Sequence, residues 1–333
     1  MATPTKELLG SPLPAISVIL PVLNEESHLE GAVLSVLSQD YRGPIEIILA
    51  LGPSRDGTNE IASRLSSQDA RVKLIDSPTG KTAAGLNLAL AASVSPVVVR
   101  VDGHAQIPNN YLSLIIEILN STGAVNVGGV MAAVGNTAFE RAVAGAMRSP
   151  FGVGSSRFHT GGEAGEVDTV YLGAFRREAL IAIGGFDERF TRAQDWELNF
   201  RLRENGGIIY FDPRLHVTYR PRSTVRALAK QYFEYGRWRR VVSRRHSGTI
   251  NVRYLAPPLA LIGFTTSVVL GSLLNPIFLA PAVIYLLFVV LASLKIASSI
   301  REYFLLLIVI PTMHFAWGAG FISSPKTLVP TSH

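Results

Sequence analysis

The stretch from residue 254 to residue 322 constrains the fold most, because it is almost free of charge. Its charged residues are Lys295, Arg301 and Glu302. Apolar blocks fill the rest, at about 254–274, 276–294 and 303–322. Each has roughly the 20 residues that a helix needs to cross about 30 Å of hydrocarbon. The sequence therefore predicts a membrane domain at 251–333 with three transmembrane helices, the first two forming a tight hairpin.

Basic residues cluster directly before this stretch. From Arg220 to Arg245 there are nine Lys or Arg against one acid, Glu234. The net charge of +6 favours an acidic partner, and the neighbouring apolar blocks favour an anionic membrane surface over nucleic acid. We expect 221–250 to be a basic amphipathic segment at the membrane interface.

The distribution of charge also predicts an orientation. Lys and Arg concentrate on the cytoplasmic side, so 237–245 and the pair Lys295 and Arg301 are expected there, with the C-terminus outside. Residues 1–14 lack the apolar core of a signal peptide, so the N-terminal part is expected in the cytoplasm, on a multi-pass protein of the cell (inner) membrane. The absence of cysteine excludes disulfides and a thiol nucleophile.

The N-terminal part alternates between buried strands and amphipathic helices. Strands are predicted at 16–22, 45–51, 72–75 and from Val97, with later ones at 125–134 and 167–175. This alternation is typical of a doubly wound, mostly parallel α/β sheet whose loops open at one edge. A loop with many glycines, 152–165, is a candidate for a mobile flap over that edge.

The strand beginning at Val97 ends at Asp102-Gly103-His104. Ligands of open α/β sheets bind at the carboxyl ends of strands, and Asp102 and His104 are spaced so that both could bind one divalent cation. The alternative is an ordinary turn, since Asp-Gly is a common turn pair. Likewise, Asp195 starts a predicted helix, where a carboxylate is either a base or a response to the helix dipole.

Lys81 lies in the segment Ser77-Pro78-Thr79-Gly80-Lys81-Thr82, which is similar to a P-loop. The motif requires a glycine where this chain has Ile75, which argues against a Walker-type nucleotide triphosphatase. Lys81 is therefore either a phosphate contact at a helix N-terminus or a solvated surface lysine.

Five segments, in this order, resemble glycosyltransferase family 2 of the GT-A fold over residues 1–220. They are Ser17–Glu25, Ser54–Thr58, Asp102–His104, Gly184–Glu188 and Gln194–Leu198. Within that family the chain is most similar to exopolysaccharide glycosyltransferases of the succinoglycan ExoA type. The expected fold is thus a Rossmann-like, mostly parallel GT-A domain followed by transmembrane helices.

The resemblance implies an inverting, metal-dependent transfer of one sugar from a nucleotide-sugar donor. It assigns Asp102 and His104 to Mn²⁺ or Mg²⁺ and Asp195 to the general base. The donor-binding residues that it implies are Pro21, Asn24, Glu25, Asp56, Lys81 and Asn87. The family usually has a pair of Asp residues where this chain has Ala50 and Leu51, so the donor base stays open.

The acceptor is expected to be membrane-borne and linked to polyprenyl diphosphate, for a cell-surface or extracellular polysaccharide. Processive members carry a Gln and an Arg-Trp pair two residues apart, whereas five residues separate Gln231 from Arg237 and Trp238 here. That spacing favours transfer of a single sugar, with Trp196, Arg237 and Trp238 as candidate acceptor contacts. The alternatives are a polyprenyl-phosphate glycosyltransferase and an inactive membrane scaffold of the same fold.

Overall fold

The computed structural model describes residues 13–329. The chain forms two compact units. The first, here the sheet unit, comprises the described residues up to Ala132 together with Gly161–Tyr219. The second, the helical unit, comprises Ala133–Thr160 and the described residues from Arg220 onward.

One eight-stranded sheet organises the sheet unit. Its strands are β1 (Ile16–Val22), β2 (Ile45–Leu51), β3 (Val72–Asp76), β4 (Val97–Arg100), β5 (Asn126–Ala133), β6 (Gly165–Glu166), β7 (Ala174–Arg176) and β8 (Ile209–Tyr219). Their order is β3-β2-β1-β4-β7-β5-β8-β6. The first four run parallel, whereas β7 is antiparallel to β4 and to β5.

Helices connect the parallel strands, as the alternating pattern predicted. The helices of the sheet unit are α1 (Leu29–Leu37), α2 (Thr58–Gln68), α3 (Thr82–Ala92), α4 (Tyr111–Thr122), α8 (Arg177–Ala182) and α9 (Gln194–Glu204). Those of the helical unit are α5 (Ala138–Met147), α6 (Pro150–Val153), α7 (Arg157–Thr160), α10 (Val225–Arg245), α11 (Val252–Leu273), α12 (Ala280–Ile296) and α13 (Ile300–Ser323). The mostly parallel α/β fold class is confirmed.

The core of the sheet unit is apolar on both faces of the central strands. In β1, Val18 lies between Ile47 of β2 and Val99 of β4, and all three are fully buried. Removing such side chains from water is the main stabilising contribution to folding. The carboxyl ends of β1, β2 and β4 therefore stand at one fixed edge.

Two predicted local structures were wrong. The strand expected at 167–175 is reduced to β7, because Leu172 and Gly173 adopt left-handed backbone conformations with φ of 59° and 99°. The loop expected at 152–165 contains α7 and the end of α6. A Ser149 cap and a proline in the first turn start α6, which explains helix formation despite the glycines.

In the helical unit, three helices are long and apolar enough to cross a membrane: Val252–Leu273, Pro276–Ile296 and Ile300–Ser323. They lie at the three apolar blocks predicted at 254–274, 276–294 and 303–322. Helix α10 falls within the basic segment 221–250, and the 133–160 segment belongs to the helical unit rather than to the sheet unit. The division at residues 220 and 250 stays a prediction.

Candidate active site

An arginine and two carboxylates meet at the carboxyl end of β4. Arg100 is the last residue of β4 and is buried. Its Nε donates to Asp102 Oδ1 at 2.9 Å, and its Nη1 donates to Asp195 Oδ1. One guanidinium thus joins the predicted metal ligand to the predicted base.

Asp195 reaches this position from the first turn of α9. The chain enters α9 through Ala193, whose φ of 58° is in the left-handed region. Burial raises the pKa of the Asp195 carboxyl above its usual range, and the negative charge of Asp102 raises it further, while Arg100 lowers it. Arg100 itself is charged, since Asp102 and Asp195 raise its pKa against the effect of burial.

His104 contacts a carboxylate from another loop. Its Nδ1 lies 2.7 Å from Oε1 of Glu25, which follows β1. A Cβ added to Gly103 would lie 2.9 Å from Cγ of Glu25, so the glycine permits this close approach. Ala105 N donates to Asp102 O at 2.9 Å, so the segment is also the turn that the Asp-Gly pair predicted. The metal role of Asp102 and His104 stays a prediction.

The loops after β1 and β2 are held together by short polar side chains. Asn24, with φ of 56°, accepts from Arg55 N at 2.8 Å, and Glu25 N donates to Thr58 Oγ1 at 2.8 Å. The Thr58 hydroxyl is the main cause that lowers the pKa of Asp56. Asn24, Glu25 and Asp56 therefore lie together at one edge, as the predicted donor pocket requires.

The other predicted donor residues occupy different local settings. Pro21 is in β1, paired with Ala50 of β2. Lys81 is exposed at the N-terminus of α3. The Asn87 amide accepts from Phe186 N and donates to Phe186 O, each at 2.8 Å, so it holds the turn that precedes α9. Its predicted sugar contact stays a prediction.

A cavity of about 250 Å³ opens beside the ends of β2 and β3. Its lining includes Leu51, Gly52, Pro53, Asn59, Asp76 and Pro78. Asp76 is exposed and lies next to Leu51 in the sheet register. The cavity thus pairs apolar walls with one carboxylate.

The candidate acceptor residues do not share one setting. Trp196 stacks on Phe200 along α9, with ring centroids 5.8 Å apart. In the helical unit, Arg237 pairs with Glu234 at 2.9 Å, and Trp238 is buried. The burial of Trp238 favours a packing role for it, and the acceptor contacts stay predictions.

Sequence reasoning missed two residues of this site. Arg100 is hidden in a run of valines that indicates only a buried strand. Tyr171, in the part of the 167–175 run that is not a strand, interacts electrostatically with Asp102, Arg100 and Asp195, and burial raises its pKa well above its usual value. A charged residue inside an apolar run was the one available signal, since burying an unpaired charge is costly.

Comparison with known families identifies the family of the chain. The model for glycosyl transferase family 2 matches residues 17–184. The chain belongs to glycosyltransferase family 2. Segments carrying Asn24, Asp56 and the Asp102–His104 turn all fall within the matched family region.

Relatives extend the family match over almost the whole chain. The succinoglycan biosynthesis protein ExoA of Rhizobium meliloti is 31% identical over 309 residues, covering 91% of this chain and 93% of the relative. A dolichyl N-acetyl-α-D-glucosaminyl phosphate 3-β-D-2,3-diacetamido-2,3-dideoxy-β-D-glucuronosyltransferase of Methanococcus voltae is 24% identical, covering 92% and 95%. The predicted family and its likeness to the ExoA type are confirmed.

Two solved structures have the same fold. The mannosyltransferase PcManGT of Pyrobaculum calidifontis, solved with GDP-Man and Mn²⁺, superposes with a TM-score of 0.60 at 20% identity, covering 93% of this chain and 87% of that one. Residues 1–349 of TarS of S. aureus give a TM-score of 0.52 at 16% identity, covering 90% and 89%. At these identities the likeness concerns the GT-A fold alone.

Proposed function

We propose that this family 2 enzyme transfers one sugar, with inversion, from a nucleotide-sugar donor to a membrane-borne acceptor. The observation that carries the proposal is Arg100, which joins Asp102 and Asp195 at the carboxyl end of β4. Groups for the donor diphosphate and for the acceptor hydroxyl thereby stand side by side. This is the arrangement that a single displacement requires.

Asp102 and His104 would hold Mn²⁺ or Mg²⁺. Glu25 on the Nδ1 side of His104 fits this role, because metal-binding imidazoles are commonly oriented by a carboxylate. An aspartate oxygen with an imidazole nitrogen suits Mn²⁺ better than Mg²⁺. Within residues 13–329 no cluster of three or more His, Asp or Glu forms a ready metal site, so the donor diphosphate would complete the ligand set. When bound, the ion would stabilise the negative charge of the leaving diphosphate.

Asp195 would act as the general base. Its carboxylate takes the proton from the acceptor hydroxyl, whose oxygen bonds to the anomeric carbon as the bond from that carbon to the diphosphate breaks. A positioned base contributes about 10²- to 10⁴-fold to such a step. Arg100 supports the role by keeping the carboxylate charged and correctly placed.

The donor nucleotide would bind along the loops that contain Pro21, Asn24, Glu25 and Asp56. The cavity bounded by Leu51 and Asp76 lies beside those loops and would receive the base. Lys81, at the start of α3, would meet a phosphate. The solved neighbour PcManGT contains GDP-Man, which supports a nucleotide-sugar donor without specifying its base here.

The acceptor would be a saccharide carried on polyprenyl diphosphate at the cytoplasmic face of the cell membrane. Of the two relatives, one is a succinoglycan biosynthesis protein and the other is a glycosyltransferase with a dolichyl-linked saccharide substrate. The apolar helices of the helical unit and the basic helix α10 support a membrane location. The product would serve a cell-surface or extracellular polysaccharide.

A pair of variants tests this assignment. Asp102→Ala should abolish Mn²⁺-dependent binding of the donor, whereas Asp195→Asn should leave that binding intact and reduce transfer by about 10²- to 10⁴-fold. Donor binding is measured by calorimetry and transfer with a polyprenyl-diphosphate acceptor. Wild-type turnover by Asp195→Asn would remove the base role, and would favour a lipid phosphate that attacks without a base. Absence of metal-dependent donor binding in the wild type would favour the inactive scaffold.

A further inference from the structure

We propose that the helical unit is a monotopic anchor: the α11–α12 hairpin ends inside the bilayer, and α13 lies in the membrane plane beside α10. The inference rests on the proposed membrane location and departs from the expectation of three crossing helices. It places the described residues on either side of the hairpin on one face of the membrane.

Helix α13 runs alongside α10. The closest approach is at glycines: a Cβ on Gly236 would overlap Trp317 O, and one on Gly320 would overlap Phe233 O. Further along, Arg244 Nη2 donates to Ser324 O at 2.9 Å. Gly236 of α10 contacts Trp317, and Arg244, eight residues later, contacts Ser324, which is seven residues after Trp317. The two helices therefore run in the same direction.

Helix α10 cannot be deep in hydrocarbon. Seven of its 21 residues are Lys or Arg, against one Glu. Charges at the bilayer centre are costly, whereas a basic amphipathic helix binds in the interface. A helix packed along α10 in the same direction therefore lies in the interface too.

An arginine of another helix contacts each end of α13. At its first turn Glu302 pairs with Arg141 of α5 at 2.9 Å, and at its last turn Ser324 meets Arg244 of α10. With 24 residues α13 is about 36 Å long, so crossing would place these two arginines on opposite sides of the membrane. Lying in plane keeps both in the same aqueous layer.

The hairpin crosses α13 rather than running beside it. The ring of Tyr254 in α11 stacks on that of Trp317, with centroids 6.4 Å apart, and the ring centroids of Phe264 and Phe315 are 5.2 Å apart. Tyr254 and Phe264 are ten residues apart, about 15 Å along α11, whereas their partners on α13 are only two residues apart. On α12, Tyr285 and Phe288 both contact His314. The hairpin is therefore transverse to α13 and α10.

Exposure differs between α13 and the hairpin. Helix α13 exposes a single apolar stripe, comprising Ile300, Phe304, Ile308 and Ile322. In the apolar windows of α11 and α12 only 17% and 22% of residues are buried, against 39% in α13. One lipid-facing stripe suits a helix in the interface, and exposure all round suits a hairpin surrounded by lipid.

The tip of the hairpin is adapted to hydrocarbon. Leu273, Leu274 and Ile277 are 75%, 70% and 72% exposed. Backbone groups at the turn are satisfied internally, as a lipid environment demands. Ser267 Oγ donates to Phe278 O at 2.6 Å and accepts from Ala282 N, and Asn275 Oδ1 accepts from Ile277 N.

The length of the hairpin beyond α13 gives its depth. From Phe264 to Leu273 is nine residues, about 14 Å of helix. Half of a hydrocarbon core of about 30 Å is about 15 Å. With α13 at the interface, the tip reaches the middle of the bilayer.

The absence of native cysteine makes a direct test possible. Leu274→Cys places a thiol at the tip, Lys326→Cys places one beyond α13, and Ser63→Cys on exposed α2 reports the side of the sheet unit. Each is treated with a membrane-impermeant charged maleimide in intact spheroplasts, in inverted vesicles and after detergent solubilisation. The unmodified protein is the blank, and Ile277→Cys is a second tip variant if Leu274→Cys does not fold.

The proposal expects Lys326→Cys to be labelled together with Ser63→Cys, in inverted vesicles and not in spheroplasts. The tip cysteines should be labelled after solubilisation only, because a thiol in hydrocarbon is neither ionised nor reached by the reagent. Labelling of Lys326→Cys in spheroplasts would make α13 a crossing helix, and labelling of a tip cysteine there would make the hairpin cross; either result overturns the proposal. Recovery of the protein in the soluble fraction would instead refute the membrane location itself.

Discussion

Arg100 lies between two carboxylates that the proposed mechanism uses for different tasks. Burial raises the pKa of Asp195, the nearby charge of Asp102 raises it further, and Arg100 opposes both. A base works only when ionised, so activity is lost as the pH falls through this pKa. We expect Arg100→Met to raise the pKa of Asp195 and move the acidic limb of the kcat/KM profile to higher pH. Turnover at pH 7 should fall by about 10² or more, since most of the base contribution is lost.

The matched variant is Arg100→Lys, which keeps a charge but loses the planar group that reaches both carboxylates. Its acidic limb should lie between those of the wild type and Arg100→Met. Circular dichroism and donor binding check that each variant folds. An unchanged acidic limb in folded Arg100→Met would show that Arg100 does not keep the base ionised.

At the residue scale, the sequence allowed a prediction where a residue belongs to a motif. Asp102, His104 and Asp195 could be proposed because each stands in a recognisable segment, and the structure brings Asp102 and Asp195 to the same arginine. The pairing of Arg100 with Asp195 could not be predicted, because the two residues are 95 positions apart in the chain. Pairing at that separation follows from the order of strands, which one sequence does not reveal.

The close packing of α10 on α13 gives a prediction at the scale of elements. A Cβ at Gly236 or Gly320 would overlap a backbone carbonyl oxygen of the other helix, which cannot move without separating the two. We expect Gly236→Ala and Gly320→Ala each to lower the stability of the helical unit by about 1–3 kcal/mol through overpacking. Thermal unfolding in detergent, followed by tryptophan fluorescence, measures the change.

Gly263 of α11 is the matched control. Within 4 Å of an added Cβ there is nothing among the described residues, so Gly263→Ala should be neutral or stabilising by up to about 1 kcal/mol, as expected from helix propensity. Equal losses in all three variants would contradict the close packing of α10 on α13.

Strands could be predicted from the sequence where large apolar residues dominate a segment. The strands β1 and β2 form at the predicted residues, because runs dominated by large apolar residues specify buried strands. The run at 167–175 is also rich in apolar residues, but the left-handed residues Leu172 and Gly173 interrupt it, and only Ala174 and Phe175 of the run join the sheet, as part of β7. Backbone conformation at single residues decided that outcome, and hydrophobic pattern does not encode it.

At the scale of the whole molecule, composition predicted a membrane location, and helix length suggested three crossing helices. Three apolar blocks of adequate length are compatible with three crossing helices or with a hairpin and an in-plane helix. The distinction depends on which helix packs against α10, and the glycines at 236 and 320 that permit the contact are unremarkable in sequence. The length of an apolar helix shows that it could cross the bilayer. Its orientation in the bilayer depends on the helices against which it packs.

The identity of the donor base can be tested through the thermal stability of the whole protein. Ala50 and Leu51 remove the pair of Asp residues usual in the family, while Asp76 lies beside Leu51 at the cavity. A ligand that binds only the folded state stabilises it by about 2.7 kcal/mol at a hundredfold excess over its Kd. We therefore expect one nucleoside diphosphate, with Mn²⁺, to raise the Tm of the detergent-purified protein more than the others do.

Thermal unfolding with each common nucleoside diphosphate, with and without Mn²⁺, makes the comparison. Asp102→Ala should lose the Mn²⁺-dependent part of the shift, and Asp76→Asn should reduce the difference between bases while keeping the shift itself. Equal shifts with all bases in the wild type would mean that the cavity beside β3 does not read the base, and that selectivity for the donor comes from its sugar.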